Sequence, residues 1–281
     1  MQKSVIDSYP AGVPHEVHPE QYRSLDHMLE EALQRHAANP FSVCMEKWMS
    51  FRELDELSRA MGAWLQSCGL EPGARVAIML PNVPQFAVTM AAVLRAGYTC
   101  VNVNPLYTPR ELAHQLQDSG ATAIVILENF AATLEQAIDK SAIKHVVVTA
   151  VGDLLGGMFG QWITFAVRNL ARAVPAYKLP LDKGRTVTRF SKALDAGRGM
   201  KLAPAGTTLD SIAFLQYTGG TTGLSKGAIL THRNIVAATL QAEAWFTPAL
   251  SRVGDLSKVN SIAALPLYHI FALTLCLFSR T

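Results

Sequence analysis

The chain has 281 residues, 49% of them hydrophobic, so it is long enough to bury a substantial core. A formal net charge of +3 gives no general affinity for nucleic acid, and the sequence has no basic–aromatic repeat or DNA-binding motif. The cysteines lie far apart without a Cys-x-x-Cys pair, which indicates buried thiols in a reducing compartment rather than a disulfide or zinc framework. The N-terminus lacks the apolar core of a signal peptide, so we expect a cytosolic protein.

Helices and strands are predicted to alternate between residues 50 and 150. Ser50 and Glu53 form a predicted capping box for an amphipathic helix, and Gly69 ends that helix. The apolar run at residues 75–80 is typical of a buried strand, and a helix is expected to follow it as far as Arg95.

The second half of this region repeats the same alternation. A strand is predicted at residues 100–103, and Thr108 with Glu111 forms another capping box. Two further apolar strands are predicted at residues 123–127 and 145–149. Strands this apolar, separated by single helices, indicate an α/β fold whose parallel sheet is covered by helices on both faces.

Residues 151–205 have the composition of a basic insertion. Between residues 151 and 202, nine lysines and arginines face three aspartates, a net charge of +6, so the rest of the chain sums to −3. The apolar run at residues 154–165 precedes the basic part. A basic-flanked amphipathic helix with Trp162 and Phe165 could rest on an anionic membrane surface. We favour the alternative, a helix packed on the protein's own sheet and followed by a solvated basic loop.

The most informative segment, residues 217–227, reads Tyr-Thr-Gly-Gly-Thr-Thr-Gly-Leu-Ser-Lys-Gly and follows an apolar strand at residues 212–217. Glycines let backbone N–H groups approach an anion, and threonine hydroxyls add further donors. Lys226 supplies a compact, mobile positive charge. These residue types together predict a loop that binds phosphate groups.

Three other interpretations of this segment fit its residues less well. A Walker A loop requires Ser or Thr directly after its lysine, and Gly227 stands there instead. Residues 223–227 match the Gly-x-Ser-x-Gly elbow of serine hydrolases, but that elbow needs a helix after Ser225, whereas residues 228–231 read as extended. A flexible, solvent-exposed loop would explain the glycines but not the threonines and the lysine beside them.

About 17 residues without a formal charge at neutral pH run from Ile262 to Phe278, just short of a comfortable membrane span. Pro266 and His269 interrupt the run near its middle, where a lone polar ring would be costly in lipid. We predict a buried strand, a turn at Pro266 and a buried helix, all in the core.

Three segments together resemble the adenylate-forming superfamily. Residues 217–234 are similar to its phosphate-binding signature, and the Leu-Pro-Leu-Tyr-His motif at residues 265–269 resembles its next core motif. Residues 101–112 are similar to bacterial long-chain fatty-acyl-CoA synthetases. The resemblance runs from about Tyr9 to about Phe278. It implies the large N-terminal α/β domain of that superfamily, with residues 206–281 forming the phosphate-loop region.

The resemblance also implies a reaction and its ligands. A long-chain fatty acid attacks the α-phosphorus of ATP, pyrophosphate leaves, and the thiol of coenzyme A then displaces AMP. Mg²⁺ is expected as the cofactor of ATP. Neither step needs a protein nucleophile, so catalysis rests on positioning and on stabilising charge around phosphorus.

Site residues follow from the matched motifs. His269 is the expected catalytic residue, donating a hydrogen bond near the carboxylate and α-phosphate, with a histidine hydrogen-bonded at a helix start as the alternative. Thr218 is also the expected magnesium ligand, although one hydroxyl makes a weak site. The expected ATP-binding residues are Tyr217, Thr218, Gly219, Gly220, Thr221, Thr222, Gly223, Ser225, Lys226 and Gly227. The expected acyl-pocket residues, with ordinary core as the alternative, are Tyr268, Ile270, Phe271 and Leu273. His232 is interpreted as a helix-start residue and His114 as a surface residue.

Members of this superfamily are considerably longer than 281 residues. The motifs for an acidic magnesium ligand, adenine and ribose contacts, and a lysine on a mobile small domain cannot be located in the sequence. We therefore expect a truncated AMP-binding domain that binds ATP weakly if at all and forms no acyl-CoA. The alternatives are a non-catalytic ATP-binding or membrane-surface fragment and a serine hydrolase using Ser225. Contact with the inner face of the cytoplasmic membrane and a homodimer both stay open.

Overall fold

The computed structural model describes residues 8–218, 225–253 and 259–278. Its first elements are a helix, a hairpin and a second helix. These are α1 (Leu25–Arg35), β1 (Pro40–Cys44), β2 (Lys47–Ser50) and α2 (Phe51–Ser67). The Ser50 hydroxyl accepts from the Glu53 N–H, and the Glu53 carboxylate accepts from the Ser50 N–H, so the predicted capping box is confirmed. Gly69 follows the helix with a φ of 72°, the left-handed conformation that commonly ends a helix.

A seven-stranded sheet forms the centre of the described structure. Its strands, in chain order, are β3 (Arg75–Met79), β4 (Thr99–Asn102), β5 (Ala123–Leu127), β6 (His145–Thr149), β7 (Thr186–Arg189), β8 (Ile212–Thr218) and β9 (Lys226–Thr231). They lie side by side in the order β7-β6-β5-β3-β4-β8-β9. Every neighbouring pair is parallel except β8 and β9. The predicted parallel sheet is confirmed, and β9 is antiparallel because its connection to β8 is too short for a crossover.

Helices cover both faces of this sheet, as predicted. The covering helices are α3 (Pro84–Arg95), α4 (Pro109–Ser119), α5 (Ala131–Ala137), α7 (Phe190–Gly197) and α8 (His232–Leu250), while α6 (Gly157–Phe165) lies away from the sheet. Alternate residues of β3 belong to two separate cores: Val76 and Ile78 pack with α2 and α3, while Ala77 and Met79 pack with α4 and α5. Every residue of α3 is buried, because α1 and α2 cover the face that the sheet does not.

The basic insertion differs from the interpretation that we favoured. Helix α6 does not pack on the sheet: Gly160 is its only buried residue, and Met158 and Trp162 are 86% and 58% exposed. Gly160 instead meets Gly152 so closely that a Cβ on either would lie within 2.3 Å of the other's carbonyl oxygen. The helix is therefore held through its glycine edge, and its large apolar side chains face outward.

Ion pairs neutralise much of the insertion's positive charge, so the prediction of a solvated basic loop holds only in part. Both Arg168 and Arg189 contact the buried carboxylate of Glu128. Among the described residues, ion pairs engage Arg168, Lys183, Arg185, Arg189 and Arg198. The described part of the chain gives no ion pair for the other four cations of the segment, which are Arg172, Lys178, Lys192 and Lys201.

The apolar run that begins at Ile262 is only partly core. The predicted strand is wrong: residues 259–264 have no regular structure, and Ile262 is 89% exposed. Apolar residues form a buried strand only where a partner strand covers them, and no described strand lies beside this stretch. The helix predicted after Pro266 is present but short, with α9 (Ile270–Ala272) running into a π-helical turn, Leu273–Leu277.

Two further findings concern the thiols and the membrane. The four cysteines are free, but only Cys100 is fully buried, so the prediction of buried thiols is too general. Burial raises the pKa of Cys68 to about 11, which makes this thiol a poor nucleophile at neutral pH. Across the described ranges, no helix has both the length and the hydropathy needed to cross a bilayer.

Candidate functional site

The two sequence motifs, residues 217–227 and residues 265–269, meet at the carboxyl ends of the parallel strands. Strands β3, β4 and β8 are parallel, so their carboxyl ends lie together, and the loop at residues 217–227 begins where β8 ends. After β3 the chain moves to β4 on one side and then returns to β5 on the other side of β3. Such a reversal in strand order leaves a crevice at the carboxyl ends, which is where α/β proteins bind ligands.

Five predicted phosphate-binding residues lie outside the described residues, namely Gly219, Gly220, Thr221, Thr222 and Gly223. The flanks of the loop are described. Thr218 and Lys226 are paired directly across β8 and β9, and both are exposed. The Ser225 hydroxyl donates to the Thr218 carbonyl oxygen at 2.7 Å and so joins the two sides of the loop at its base.

This geometry contradicts the serine-hydrolase alternative. The segment that leaves Ser225 is strand β9, whereas a nucleophile elbow continues directly into a helix. In addition, the Ser225 hydroxyl is used to hold the Thr218 carbonyl. The prediction that residues 228–231 are extended is confirmed.

His114 is not the simple surface residue that the sequence suggested. It lies half-buried on α4, and its Nε2 is 3.0 Å from the carbonyl oxygen of Ser225. Since a carbonyl oxygen only accepts, Nε2 carries the proton in this contact. The two residues are 111 positions apart in the sequence, which explains why local pattern gave no sign of the contact.

Tyr217 and Gly227, both predicted to bind phosphate, form a packed pair at the base of the loop. The Tyr217 hydroxyl donates to Oδ2 of Asp118 on α4. Burial, followed by the nearby Asp118 carboxylate, raises the pKa of Tyr217 well above its usual value. A Cβ at Gly227 would lie 2.9 Å from the Tyr217 ring. We conclude that Gly227 leaves space for the ring, and that Tyr217 anchors the strand before the loop.

His269 stands at the start of α9. Its N–H donates to the Pro266 carbonyl and its own carbonyl accepts from Leu273 N–H, so the backbone is fixed while the side chain is exposed. Within the described ranges its ring has no hydrogen bond, which contradicts the alternative of an internally bonded histidine. An exposed imidazole at the carboxyl edge of the sheet is available to a ligand.

The four acyl-pocket residues do not share one surface. Leu273 is fully buried in the main core, while Phe271 is 57% exposed. Tyr268 and Ile270 are half-buried and pack against the same core. The core alternative therefore fits Leu273, and a pocket-lining role for the other three stays a prediction.

Two amide side chains that the sequence did not single out hold the second motif. Asn82, just after β3, donates Nδ2 to the carbonyls of Ala263 and Leu265 and accepts from Leu267 N–H. Gln216 of β8 donates Nε2 to the Tyr268 carbonyl at 3.1 Å. The Pro-Asn turn after an apolar strand was the one available signal, and it pointed only to a turn.

His232 does more than begin helix α8. It is buried, and its Nδ1 accepts from the Leu25 N–H at 3.0 Å, which ties α8 to the start of α1. Burial lowers the pKa of His232, and the nearby Asp26 carboxylate partly opposes this. The imidazole is therefore a neutral structural residue.

The magnesium prediction rests on Thr218. An exposed hydroxyl beside the loop is a suitable oxygen donor for a hard cation, but one such oxygen is too little for a site. No group of three or more His, Cys, Asp or Glu side chains suited to a metal occurs in the part of the chain that the structure describes.

A mostly parallel sheet with a glycine-rich segment after one of its strands is typical of the α/β proteins that bind nucleotides. The chain belongs to the AMP-binding enzyme family, whose profile matches residues 29–280. This finding confirms the resemblance seen in the sequence and the fold that it implied.

Individual relatives show which members of this family the chain is similar to. A long-chain-fatty-acid–CoA ligase of Escherichia coli O157:H7 is 48% identical over 276 residues, which cover 98% of this chain and 48% of that protein. One from Haemophilus influenzae is 44% identical over the same coverage. A crystal structure of a long-chain-fatty-acid-CoA ligase from Archaeoglobus fulgidus matches with a TM-score of 0.66 at 22% identity, covering 96% of this chain and 47% of that one. The chain thus spans about half the length of the curated relatives it matches.

Proposed function

We propose that this chain binds the phosphates of Mg·ATP with residues 217–227 and takes part in activating long-chain fatty acids to acyl-CoA. The observation that carries the proposal is the pairing of Thr218 with Lys226 at the carboxyl edge of the sheet. Residues directly opposite in an antiparallel pair share one face, so a hydroxyl and an ammonium group stand side by side there. The relatives named long-chain-fatty-acid–CoA ligase support the substrate class.

The proposed chemistry has two balanced steps. A carboxylate oxygen of the fatty acid bonds to the α-phosphorus, and the bond to pyrophosphate breaks. The sulfur of coenzyme A then bonds to the acyl carbon, the bond from that carbon to the phosphate oxygen of AMP breaks, and the thiol proton passes to the solvent as AMP leaves. Lys226 stabilises phosphate charge, Thr218 offers an oxygen to Mg²⁺, and the exposed His269 ring donates a hydrogen bond to charge that develops at the reacting carboxylate and α-phosphate.

Nucleotide binding is tested with Lys226→Met, measured by equilibrium dialysis of Mg·ATP. A hydrogen bond between charged groups contributes about 1.5–3 kcal/mol, so we expect ATP affinity to fall about tenfold to hundredfold. Lys192→Met is the matched control, since Lys192 is an exposed lysine of α7 away from the loop. Equal losses in the two variants, or no ATP binding by the unaltered chain, would contradict the proposal.

Catalysis is tested separately, by the release of pyrophosphate from ATP in the presence of palmitate and coenzyme A. Release that requires palmitate and is not supported by acetate would show that these 281 residues activate fatty acids, and would contradict the expectation that the truncated chain forms no acyl-CoA. ATP binding without any release is the result expected of the truncated domain.

We further propose that helix α6 contacts a membrane surface that contains anionic lipid. The favouring observation is its outer face, where Met158, Phe159, Trp162 and Phe165 are 48–86% exposed. Aromatic side chains with one apolar and one polar side are suited to the lipid–water boundary. Arg172 and Lys178 follow as cations for which the described residues provide no ion pair, and they supply the attraction to anionic headgroups.

Vesicle flotation tests this contact with the variant Trp162→Ser. Burial of one large apolar side chain contributes about 1.5–3 kcal/mol, so the bound fraction should correspond to an affinity at least about tenfold lower. Trp48→Ser is the control, because Trp48 is a similarly exposed tryptophan on the β1–β2 hairpin. Binding that does not depend on anionic phosphatidylglycerol, or that responds equally to both substitutions, would refute the membrane proposal.

A further inference from the structure

The segment that carries His269 has little structure of its own. Residues 259–268 form neither a helix nor a strand, and most of them are exposed. Backbone hydrogen bonds within the segment join the Ala264 N–H to the Ile262 carbonyl and the His269 N–H to the Pro266 carbonyl. A stretch with so few internal bonds takes its position from what lies beneath it.

Asn82 is one of the side chains that hydrogen-bond to this segment. Its Nδ2 lies 2.8 Å from the Ala263 carbonyl oxygen and 2.9 Å from that of Leu265, and its Oδ1 lies 2.8 Å from the Leu267 nitrogen. The nitrogen and the oxygen of the amide therefore both hydrogen-bond to one short stretch of backbone, 181–185 residues further along the chain. Such a match between one side chain and three backbone groups fixes both position and orientation.

Gln216 is the second side chain, and it lies on the strand that leads into the phosphate loop. Its Nε2 donates to the carbonyl of Tyr268, the residue before His269, and its Oε1 accepts from Nδ2 of Asn102 on β4. The Asn102 backbone carbonyl in turn accepts from Gln115 on α4. Gln216, Asn102 and Gln115 are all buried, and their hydrogen bonds join β8 to β4 and to α4.

We propose that Asn82 and Gln216 are positioning residues that hold His269 at a fixed distance from the phosphate loop. Gln216 stands two residues before Thr218, so strand β8 carries both the start of the loop and one support of the histidine segment. Asn82 supports the same segment from β3. The backbone that leads to His269 and the start of the loop at Thr218 are therefore supported by the same strand. This role rests on the proposed function, since it matters only if a nucleotide lies between the two.

The first arm of the test is hydrogen–deuterium exchange of the 281-residue chain carrying Asn82→Ala. Loss of three hydrogen bonds should make the bonded amides of Ala264, Leu267 and His269 exchange at least about tenfold faster. Asn129→Ala is the matched control, because Asn129 is half-buried and also donates Nδ2 to a distant carbonyl, that of Ala173 at 2.9 Å. Unchanged exchange at residues 263–269 in Asn82→Ala would overturn the proposal.

The second arm separates positioning from simple stability. The NMR ring resonance of His269, identified by its absence in His269→Gln, should shift when saturating Mg·ATP is added. In Asn82→Ala that shift should fall at least twofold, while the dissociation constant for ATP changes less than about twofold. A full shift despite faster exchange would show that Asn82 does not position the ring. Absence of ATP binding would instead contradict the proposed function, and the exchange result would then decide the structural claim alone.

Discussion

Gly197→Ala is expected to destabilise the fold by about 3 kcal/mol or more in urea unfolding. Gly197 is the last residue of α7, where that helix crosses α2, and a Cβ there would lie 1.9 Å from the Ala60 carbonyl oxygen and 2.7 Å from its carbon. Ala60 is part of the main core and α2 also packs against α3, so neither backbone can retreat. Overpacking against backbone forces the helices apart.

The sign of this effect is diagnostic. Glycine to alanine in a helix normally stabilises by up to about 1 kcal/mol through helix propensity. Gly199→Ala provides the control: a Cβ there would meet nothing within 4 Å, and we expect a change below about 0.5 kcal/mol. A Gly197→Ala chain as stable as the unaltered one would show that the close crossing is not a constraint on the fold.

Replacing both arginines that face Glu128 is expected to cost about 3–5 kcal/mol of unfolding free energy. Arg168 donates to both oxygens of the Glu128 carboxylate, at 2.8 and 2.6 Å, and Arg189 donates to one of them at 3.2 Å. Glu128 is only 2% exposed, so in the double variant Arg168→Met/Arg189→Met its charge would be buried without a partner. The penalty comes from this uncompensated charge, more than from the lost attraction.

Two further variants test that explanation. Adding Glu128→Gln to the double variant removes the charge, so part of the lost stability should return. Arg198→Met removes an exposed pair with Asp195 and should cost less than about 1 kcal/mol. If Glu128→Gln recovers nothing, then the arginines stabilise the fold by packing, and the charge argument is wrong. Limited proteolysis at residues 151–170 would report whether α6 also detaches.

The local elements of this protein follow from the sequence alone. The capping boxes at Ser50 and Thr108 are formed as predicted, because each involves groups only three residues apart. The alternation of apolar strands with helices predicted the parallel sheet, because few other folds are compatible with this alternation. The loop at residues 217–227 was identified because its chemistry is contained in eleven consecutive residues.

Tertiary structure alone decided which side chains surround that loop and which charges and apolar faces stay open to solvent. The contacts of His114 with Ser225 and of Asn82 with Leu267 join residues more than a hundred positions apart, and no local pattern encodes them. The same holds for the outward face of α6 and for the exposed stretch around Ile262, both predicted as buried. Burial and ion pairing depend on what another part of the chain places opposite, whereas a cap or a strand depends on near neighbours.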